Sequence, residues 1–309
     1  MNSRVNRSKT GRLHGWVNLD KPAGISSAQA VARVRRLLGA GKAGHGGTLD
    51  PLASGVLPIA LGEATKTVSY AMDSRKAYSF SLIWGAETST DDREGGITRR
   101  SDYIPTAAEI TSALKQFTGI IEQTPPAYSA VKIAGQRAYH LARQSDTPHD
   151  MPQLAARTVE VKTLQLVRAD KEQAEFEVRC GKGVYIRALA RDLGRALGSA
   201  AHVTGLRRLQ VGKFRIEDAI SLDLLEEMGQ SAAASHCVMP VLAVLDDIPA
   251  LAVTQEEAQR LRFGQGLSGK EALAGEAGPA VAVLAGQPVA LIQPKEGLWV
   301  PMRVFNIDN

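Results

Sequence analysis

One acidic residue, Asp50, stands in a segment that is too rich in glycine to be ordinary core. The segment reads Gly-His-Gly-Gly-Thr-Leu-Asp over residues 44–50, and Pro51 follows directly. Three glycines in four positions allow positive φ angles or close contact with a ligand, and a proline disfavours helical geometry at the residue before it. Residues 52–62 are apolar with interspersed Gly and Pro, which predicts buried structure behind this loop. Asp50 is therefore a candidate reactive carboxylate at the rim of a core.

Two phosphate-binding motifs can be tested against the glycines just before this loop. Residues 39–44 satisfy G-x-G-x-x-G literally, but the dinucleotide fingerprint needs a strand before it and a helix after it. Here residues 27–38 have the apolar spacing of a helix, with Ser26 or Ser27 as N-cap and Gly39 as stop signal. A P-loop would need Ser or Thr after Gly-Lys, where this chain has Ala. The sequence therefore argues against nucleotide binding.

Residues 44–57 resemble the nucleophile motif of the TruB-type tRNA pseudouridine-55 synthases, G-H-[T/S]-G-[A/T]-L-D-P-x-A-[ST]-G-x-L. Five further stretches resemble this family in the same chain order, namely Leu19–Pro22 ahead of a Gly-Ile-Ser-Ser helix start, Lys76–Tyr78, Gln123–Lys132, Gly183–Gly194 and Leu206–Leu209. Together they span residues 16 to about 220. Gly46 and Gly181 depart from the family pattern, because Thr or Ser is common at the first position and Ser at the second.

The resemblance implies an enzyme that isomerises uridine 55 in the T loop of tRNA to pseudouridine. It also implies an α+β fold. The catalytic domain, residues 13–245, would hold a mixed, largely antiparallel sheet with flanking helices, and residues 250–309 would form a small β-rich, PUA-like RNA-binding domain. The reaction breaks N1–C1′, rotates the uracil and joins C5 to C1′, so nothing is oxidised or hydrolysed. We expect no cofactor, no metal and no obligate protein partner, with the T arm of tRNA as the substrate.

The resemblance also gives catalytic roles to three side chains. Asp50 would be the nucleophile on a flipped-out base, Arg187 would pair with it and orient it, and Tyr78 would stack on the target base. By spacing alone, Arg187 lies on the polar face of an ordinary amphipathic helix, followed by Arg191 and Arg195 at i+4 and i+8. These last two arginines are possible phosphate contacts. A tyrosine that opens an alternating strand, as Tyr78 does, is more often a packing residue.

A second set of residues is expected to bind RNA. The resemblance places His45 beside the extruded uridine, Tyr185 and Leu206 along the same pocket, and Lys21 at the cleft floor, although a lone histidine is more often structural. Flipping a base out of its stack costs a few kcal/mol, so a side chain such as His45 that fills the vacated space would offset part of this cost. Phosphate contacts are expected from the basic residues Arg35, Arg36, Lys42, Arg207 and Arg208. Binding should therefore be sensitive to salt.

Composition agrees with this interpretation without requiring it. A net charge of +5 and a pI near 9.2 allow a polyanionic partner, and residues 1–12 carry four basic and no acidic side chains, which predicts a basic flexible tail. No apolar run reaches the ~18 residues of a membrane span, and the N-terminus lacks the apolar stretch of a signal peptide. We therefore expect a cytoplasmic protein. Cys180 and Cys237 are far apart, so neither a disulfide framework nor a zinc site is indicated.

A coarse assignment of elements gives a mixed chain. Alternation or β-branched content predicts strands over residues 78–84, 158–167, 174–180, 281–284, 288–292 and 298–305. Helical spacing predicts helices over residues 109–117 and 184–197, and Ala232–Ala234 falls in a helix or loop. Residues 85–105 and 143–156 are polar and turn-rich, and the domain boundary is predicted at 244–250.

Two functions from other classes remain open. A non-catalytic tRNA-binding or tRNA-folding protein could use the same cleft. The presence of both Asp50 and Arg187 argues against this alternative, because a protein without catalytic activity would not need both. A glycosidase-like hydrolase could use one carboxylate, but it would normally need a second acid at a set separation. No companion motif in this sequence supplies one, and the release of free uracil would reveal such an activity.

Overall fold

A computed structural model describes residues 13–129, 131–133, 135–144, 154–229, 232–269, 273 and 275–307. The predicted basic tail lies outside these described residues. The chain folds into two compact units. The first contains the residues up to 51, residues 56–72 and the residues from 212 onward, and the second contains residues 52–55 and 73–211.

Both units contain strands and helices. In chain order, the strands are β1 Gly15–Lys21, β2 Ala43–His45, β3 Ser54–Leu61, β4 Lys76–Trp84, β5 Ala86–Thr88, β6 Ile97–Arg100, β7 Gly119–Gln123, β8 Lys132–Ile133, β9 Gln136–Arg137, β10 Arg157–Ala169, β11 Gln173–Cys180, β12 Ala201–Val211, β13 Phe214–Arg215, β14 Ile220–Ser221, β15 Val238–Met239, β16 Ala250–Ala252, β17 Ala280–Leu284, β18 Gln287–Lys295 and β19 Leu298–Val304. The α-helices are α1 Ser27–Leu37, α2 Val68–Asp73, α3 Ala107–Ala113, α4 Ala138–Gln144, α5 Ile186–Ala196, α6 Leu222–Met228, α7 Ala232–Ser235 and α8 Gln255–Arg262. Short 3₁₀ helices cover Gly62–Thr67, Leu114–Phe117, Ile216–Asp218 and Val241–Val244.

In the first unit, strand β1 lies between β14 and β3. Strand β14 pairs with β1 in parallel, whereas β15 pairs with β1 and β2 pairs with β3 in antiparallel fashion. Every residue of β3 after the first is buried. This confirms the buried structure predicted behind the Asp50 loop.

Helix α1 is the helix predicted over residues 27–38. Its N-cap is Ser26, whose side-chain oxygen accepts a hydrogen bond from the Gln29 backbone N–H at 3.2 Å, while the Gln29 side chain accepts one from the Ser26 backbone N–H at 2.8 Å. This reciprocal capping satisfies two N–H groups that a helix start would otherwise leave unpaired. The next residue, Ser27, is thereby placed in the first turn of α1.

In the second unit, the strands lie in the order β12, β4, β11, β10, β7, and each is antiparallel to the next. The first two residues of β3 pair with β12 in parallel. Phe80 of β4 and Phe176 of β11 stack with their ring centroids 5.0 Å apart, and helix α5 packs against β12 and β4. The predicted α+β core with a mixed, largely antiparallel sheet and flanking helices is confirmed.

The predicted strands are present, five of them with slightly wider bounds and the one predicted over 298–305 one residue shorter, and two other regions differ from expectation. The helix predicted over residues 109–117 is α3 followed by a 3₁₀ turn over Leu114–Phe117. The polar stretch 85–105 contains the short antiparallel pair β5 and β6. Most of the predicted excursion over 143–156 lies outside the described residues.

A small β-rich module follows the predicted boundary and belongs to the first unit. Its strands have the order β16, β17, β18, β19, and α8 packs against β18 and β19. Three of these strands were predicted from the sequence, whereas β16 and α8 were not. Thr254 and Glu257 form a reciprocal capping box at the start of α8, and this T-x-x-E pattern is a readable signal for a helix. The PUA-like character of the module stays a prediction.

Candidate active site

The backbone on each side of Asp50 is held by hydrogen bonds. Leu49 donates its N–H to Ser27 Oγ at 2.8 Å, and the same hydroxyl donates to the Leu49 carbonyl at 2.9 Å. On the other side, the carbonyl of Pro51 accepts a hydrogen bond from the Gly24 N–H at 2.7 Å. Ser27 is buried, and Asp50 itself is half-buried. The two anchors leave the Asp50 carboxylate on a fixed piece of chain.

The glycines of this loop meet two different requirements. Gly47 has a φ of 123°, in the range that favours glycine. Gly46 does not, but a Cβ there would lie 2.8 Å from the Ala71 Cβ and 3.4 Å from the Pro58 Cβ. Its N–H donates to the Pro58 carbonyl at 2.8 Å. The departure from Thr or Ser at position 46 therefore fits a close approach of α2 to the loop.

Lys21 and His45 occupy structured positions near the loop in the same unit. Lys21 is fully buried, and its ammonium donates to the carbonyls of Pro22 and Ile25 at 2.9 and 2.8 Å. These contacts tie down the turn that precedes α1. His45 ends β2 and lies opposite Ile59 of β3. The predicted contacts of Lys21 and His45 with RNA stay predictions.

In the second unit, the start of α5 is fixed by Gln123. The side-chain amide of Gln123 is buried, and it donates to the Tyr185 carbonyl at 3.1 Å and accepts from the Tyr185 N–H at 2.8 Å. Tyr185 is the N-cap of α5 and makes no capping hydrogen bond with its own side chain. Gln123 therefore sets the position of the turn that carries Arg187. This glutamine belongs to a stretch that resembles the family, but the resemblance gave it no role.

Arg187 is 5% exposed, so the polar face that its spacing indicates is buried at this residue. Its Nη1 donates to the Thr90 carbonyl at 2.8 Å and lies 3.3 Å from Asp92 Oδ2, while Nη2 donates to the Tyr128 carbonyl at 2.9 Å. Asp92 is held in turn by the Thr90 hydroxyl at 2.5 Å and the Glu94 N–H at 3.0 Å. The guanidinium is thus buried in one orientation. Its predicted pairing with Asp50 stays a prediction.

The two later arginines of α5 also meet carboxylates. Arg191 donates to Asp91 at 2.8 Å and is buried, which favours a structural role over the predicted phosphate contact. Arg195 donates to Glu87 at 2.6 Å. Burial raises the pKa of Asp91 to about 6, even though nearby arginines lower it. Burial also acts to raise the pKa of Glu87, but hydrogen bonds from Arg195 and Arg99 lower it overall.

Three carboxylates meet the arginines of α5, namely Glu87, Asp91 and Asp92. All three lie in the stretch 85–105, for which the sequence predicted only polar, turn-rich structure. The sequence does contain a signal for these ion pairs. Three arginines lie one turn apart on a helix whose opposite face is apolar, and the polar stretch 85–105 is rich in acids. Helical periodicity alone does not show that the arginines of α5 contact the acids of this stretch. The sheet order brings them together, because β5 and the loop after it follow β4, and α5 packs against β4 and β12.

Tyr78 is buried in β4, between Val178 of β11 and Arg208 of β12. Lys76 lies two residues earlier and therefore on the same face of the strand. Burial lowers the pKa of Lys76 to about 8, and the charge of Arg208 adds to the effect. Leu206 is half-buried opposite Phe80.

The arginines predicted to bind RNA from β12 differ in exposure. Arg207 is half-buried and donates to the Ser54 hydroxyl at 3.2 Å. Arg208 is 1% exposed, and burial this complete favours a structural role over the predicted phosphate contact. Its backbone also contacts β3 closely, because a Cβ on Gly55 would lie within 2.2 Å of the Arg208 carbonyl oxygen. Arg207 is the better candidate of the two for RNA binding.

The described part of the chain contains neither a cluster of metal ligands nor a membrane-crossing helix. No group of three or more His, Cys, Asp or Glu residues there has the arrangement of a metal site. None of its helices combines the length and apolar character that crossing a membrane requires.

Comparison with known proteins places this chain among relatives along nearly its whole length. Residues 35–186 match the N-terminal domain of TruB family pseudouridylate synthases, and residues 187–246 match the tRNA pseudouridylate synthase B C-terminal domain. The tRNA pseudouridine synthase B of Bradyrhizobium diazoefficiens is 51% identical over 305 residues, which cover 96% of this chain and 87% of that protein. The protein of the same name from Rhodopseudomonas palustris is 49% identical over 316 residues, covering 100% and 85%.

The fold is also found in solved structures. A chain in the crystal structure of a Cbf5–Nop10–Gar1 complex superposes with a TM-score of 0.71 at 26% identity, covering 95% of this chain and 85% of that one. The family matches and the curated relatives together define a pseudouridylate synthase, an isomerase that acts on RNA. Within that class, the chain belongs to the TruB family.

Proposed function

We propose that this protein isomerises the uridine at position 55 in the T loop of tRNA to pseudouridine, with Asp50 as the nucleophile on a flipped-out base. The relatives that cover nearly all of the chain bear the name tRNA pseudouridine synthase B. The observation that carries the assignment of Asp50 is its fixed backbone, anchored at Leu49 by Ser27 and at Pro51 by Gly24. Such preorganisation is what a nucleophile needs.

The reaction asks for one carboxylate and no redox chemistry. The N1–C1′ bond breaks, the uracil rotates while it is held, C5 bonds to C1′, and the C5 proton is lost while N1 regains one, so atoms and electrons balance. Asp50 could add to C1′, add to the uracil ring, or remove a sugar proton on a glycal route. Each route uses the carboxylate as an anion and needs water to be excluded.

The other side chains have supporting roles in this proposal. Arg187 orients the carboxylate, and its buried, multiply hydrogen-bonded guanidinium is suited to hold a single direction. Tyr78 stacks on the target base, while Tyr185 and Leu206 line the pocket. The RNA contacts proposed for His45, Lys21 and Arg207 would position the T arm.

Tritium release from tRNA labelled at C5 of uridine tests the proposal, together with mapping of the modified position. We expect Asp50→Asn to lower the rate by at least about a thousandfold while tRNA binding persists. Asp73→Asn is the matched control, because Asp73 forms an exposed ion pair with Lys182. Release by the wild-type protein, mapped to uridine 55, supports the reaction and the site.

The alternatives give different results in the same assay. A folded wild-type protein that binds tRNA but releases no tritium would refute the enzyme assignment and favour a tRNA-binding or tRNA-folding protein. Free uracil among the products would indicate a hydrolase. An unchanged rate for Asp50→Asn would refute the role of Asp50 alone.

A further inference from the structure

Two arginines one turn apart on α5 bridge the same two chain segments. We call residues 88–92 the first segment and residues 123–128 the second. Arg187 donates to the Thr90 carbonyl of the first and to the Tyr128 carbonyl of the second, both at or below 2.9 Å. Arg191 repeats the pattern, since it donates to the Asp91 carboxylate of the first and to the Thr124 carbonyl of the second, each at 2.8 Å.

All three kinds of nitrogen in the Arg191 guanidinium are used. Besides the contacts of Nη1 and Nη2 with the two segments, Nε donates to Asp192 Oδ1 at 2.9 Å. A guanidinium is planar and presents its donors in a fixed fork, so three acceptors in three directions hold it in a single orientation. A lysine carries the same charge on a flexible stem and cannot reproduce this fork. The side chain of Arg191 therefore acts as a spacer between the segments.

The backbone of Asp91 explains how two consecutive acids reach the same helix. In an extended chain, successive side chains point to opposite sides. Asp91 has a φ of 58°, a left-handed conformation that is unfavourable for a residue with a Cβ. Hydrogen bonds from Asp91 N–H to the Thr88 carbonyl and from Val203 N–H to the Asp91 carbonyl, both at 3.1 Å, hold this conformation. As a result Asp92 meets Arg187 while Asp91 meets Arg191.

We propose that Arg191 and Asp91 are positioning residues, which hold the two segments at the separation that fixes the guanidinium of Arg187. Two of the acceptors of Arg187 are backbone carbonyls, so their positions depend on the segments as a whole. A shift of either segment would redirect the Arg187 guanidinium without removing any atom that contacts substrate. The inference rests on the proposed function, because it assigns a catalytic consequence to this arrangement.

The experiment measures kcat and KM by tritium release at saturating and limiting tRNA for Arg191→Lys, Asp91→Asn and the double variant. Displacement of a catalytic group by a fraction of an ångström to 1 Å lowers rates by about 10- to 100-fold. We expect a fall in kcat of that size for each single variant, with KM changed by less than about threefold. The double variant should be no slower than the slower single variant, because both changes release the same arrangement.

Glu87→Gln is the matched control. It neutralises another buried carboxylate that is paired with an arginine of α5, but the Glu87 carboxylate pairs with Arg195 and Arg99 and not with the two bridging arginines. We expect it to lower thermal stability and to keep kcat within about threefold of the wild type. This comparison separates positioning from stability, because a merely structural role would lower stability in all variants and spare kcat in the folded protein.

Each outcome decides the question. An unchanged kcat in folded Asp91→Asn refutes the inference, and this nearly isosteric variant decides alone if Arg191→Lys does not fold. An equal loss of kcat in Glu87→Gln refutes it as well. A wild-type protein that releases no tritium refutes the proposed function and, with it, this inference, whereas an active wild type with unaffected variants refutes only the inference.

Discussion

Asp92 makes the most informative single target for a stability measurement. Its side chain is 3% exposed and that of its partner Arg187 is 6% exposed, so the ion pair at 3.3 Å is removed from water. Asp92→Ala would leave a buried guanidinium without its paired carboxylate. Removing one partner of a buried pair typically costs about 3–5 kcal/mol, because the remaining charge is uncompensated.

The structure places the expected loss at the lower end of that range. Arg187 keeps the Thr90 and Tyr128 carbonyls as acceptors, which offset part of the cost. The variant also loses the hydrogen bonds that Asp92 accepts from the Thr90 hydroxyl and the Glu94 N–H, each worth about 1 kcal/mol in net terms. Together these effects predict a decrease of about 3–4 kcal/mol in the free energy of unfolding.

Equilibrium urea denaturation followed by circular dichroism measures this change. Glu226→Ala provides the control, because Glu226 and Arg33 form a 3.8 Å ion pair with side chains 42% and 45% exposed. An exposed pair contributes at most about 1 kcal/mol. If Asp92→Ala cost no more than Glu226→Ala, the buried ion pair would not hold Arg187 in place and our account of the site would be wrong.

Two further predictions concern other parts of the site. Gly46→Ala should destabilise the protein by about 1–3 kcal/mol, because the new methyl would lie 2.8 Å from the Ala71 Cβ, and Ala71→Gly in the same chain should restore part of the loss in thermal denaturation. A Gly46→Ala variant of wild-type stability would contradict the close approach. Burial and the charge of Arg208 lower the pKa of Lys76 to about 8 in the folded state, so between pH 8 and 10.5 the unfolded state binds more protons and the wild type should gain stability as the pH rises. Lys76→Met should lack that gain in urea midpoints measured across the window, and identical slopes would refute the assignment.

Several features of this protein follow from local sequence. The capping pair of Ser26 and Gln29, the apolar spacing behind it and the glycine that follows it are enough to predict α1. The strands β4, β10 and β11 show alternation or β-branched content that needs no partner to be recognised. These signals work because capping and side-chain periodicity act within a few residues. The Asp50 loop belongs to the same group, since its glycines and proline restrict the backbone by themselves.

The partners of the arginines on α5 could not be read from the sequence. The periodicity of Arg187, Arg191 and Arg195 is the same whether the polar face of the helix meets water or carboxylates. Only the sheet order shows that the polar face of α5 meets acids from a distant part of the sequence. Asp91, for example, lies 100 residues before its partner Arg191. The same holds for the Ser27 hydroxyl, which binds the backbone beside Asp50.

The amino-acid sequence by itself determined the local elements and nominated the residues that we propose to carry the chemistry. Residue type and spacing within a turn or a strand are local properties. The composition of its loop marked Asp50 in this way, whereas Tyr78 and Arg187 were nominated by the family motifs. Only the tertiary structure decided how buried each side chain is and which distant groups hold it. Burial and long-range hydrogen bonds depend on how strands from separate parts of the chain pair, and this is why Arg187, Arg191 and Arg208 lie inside the protein.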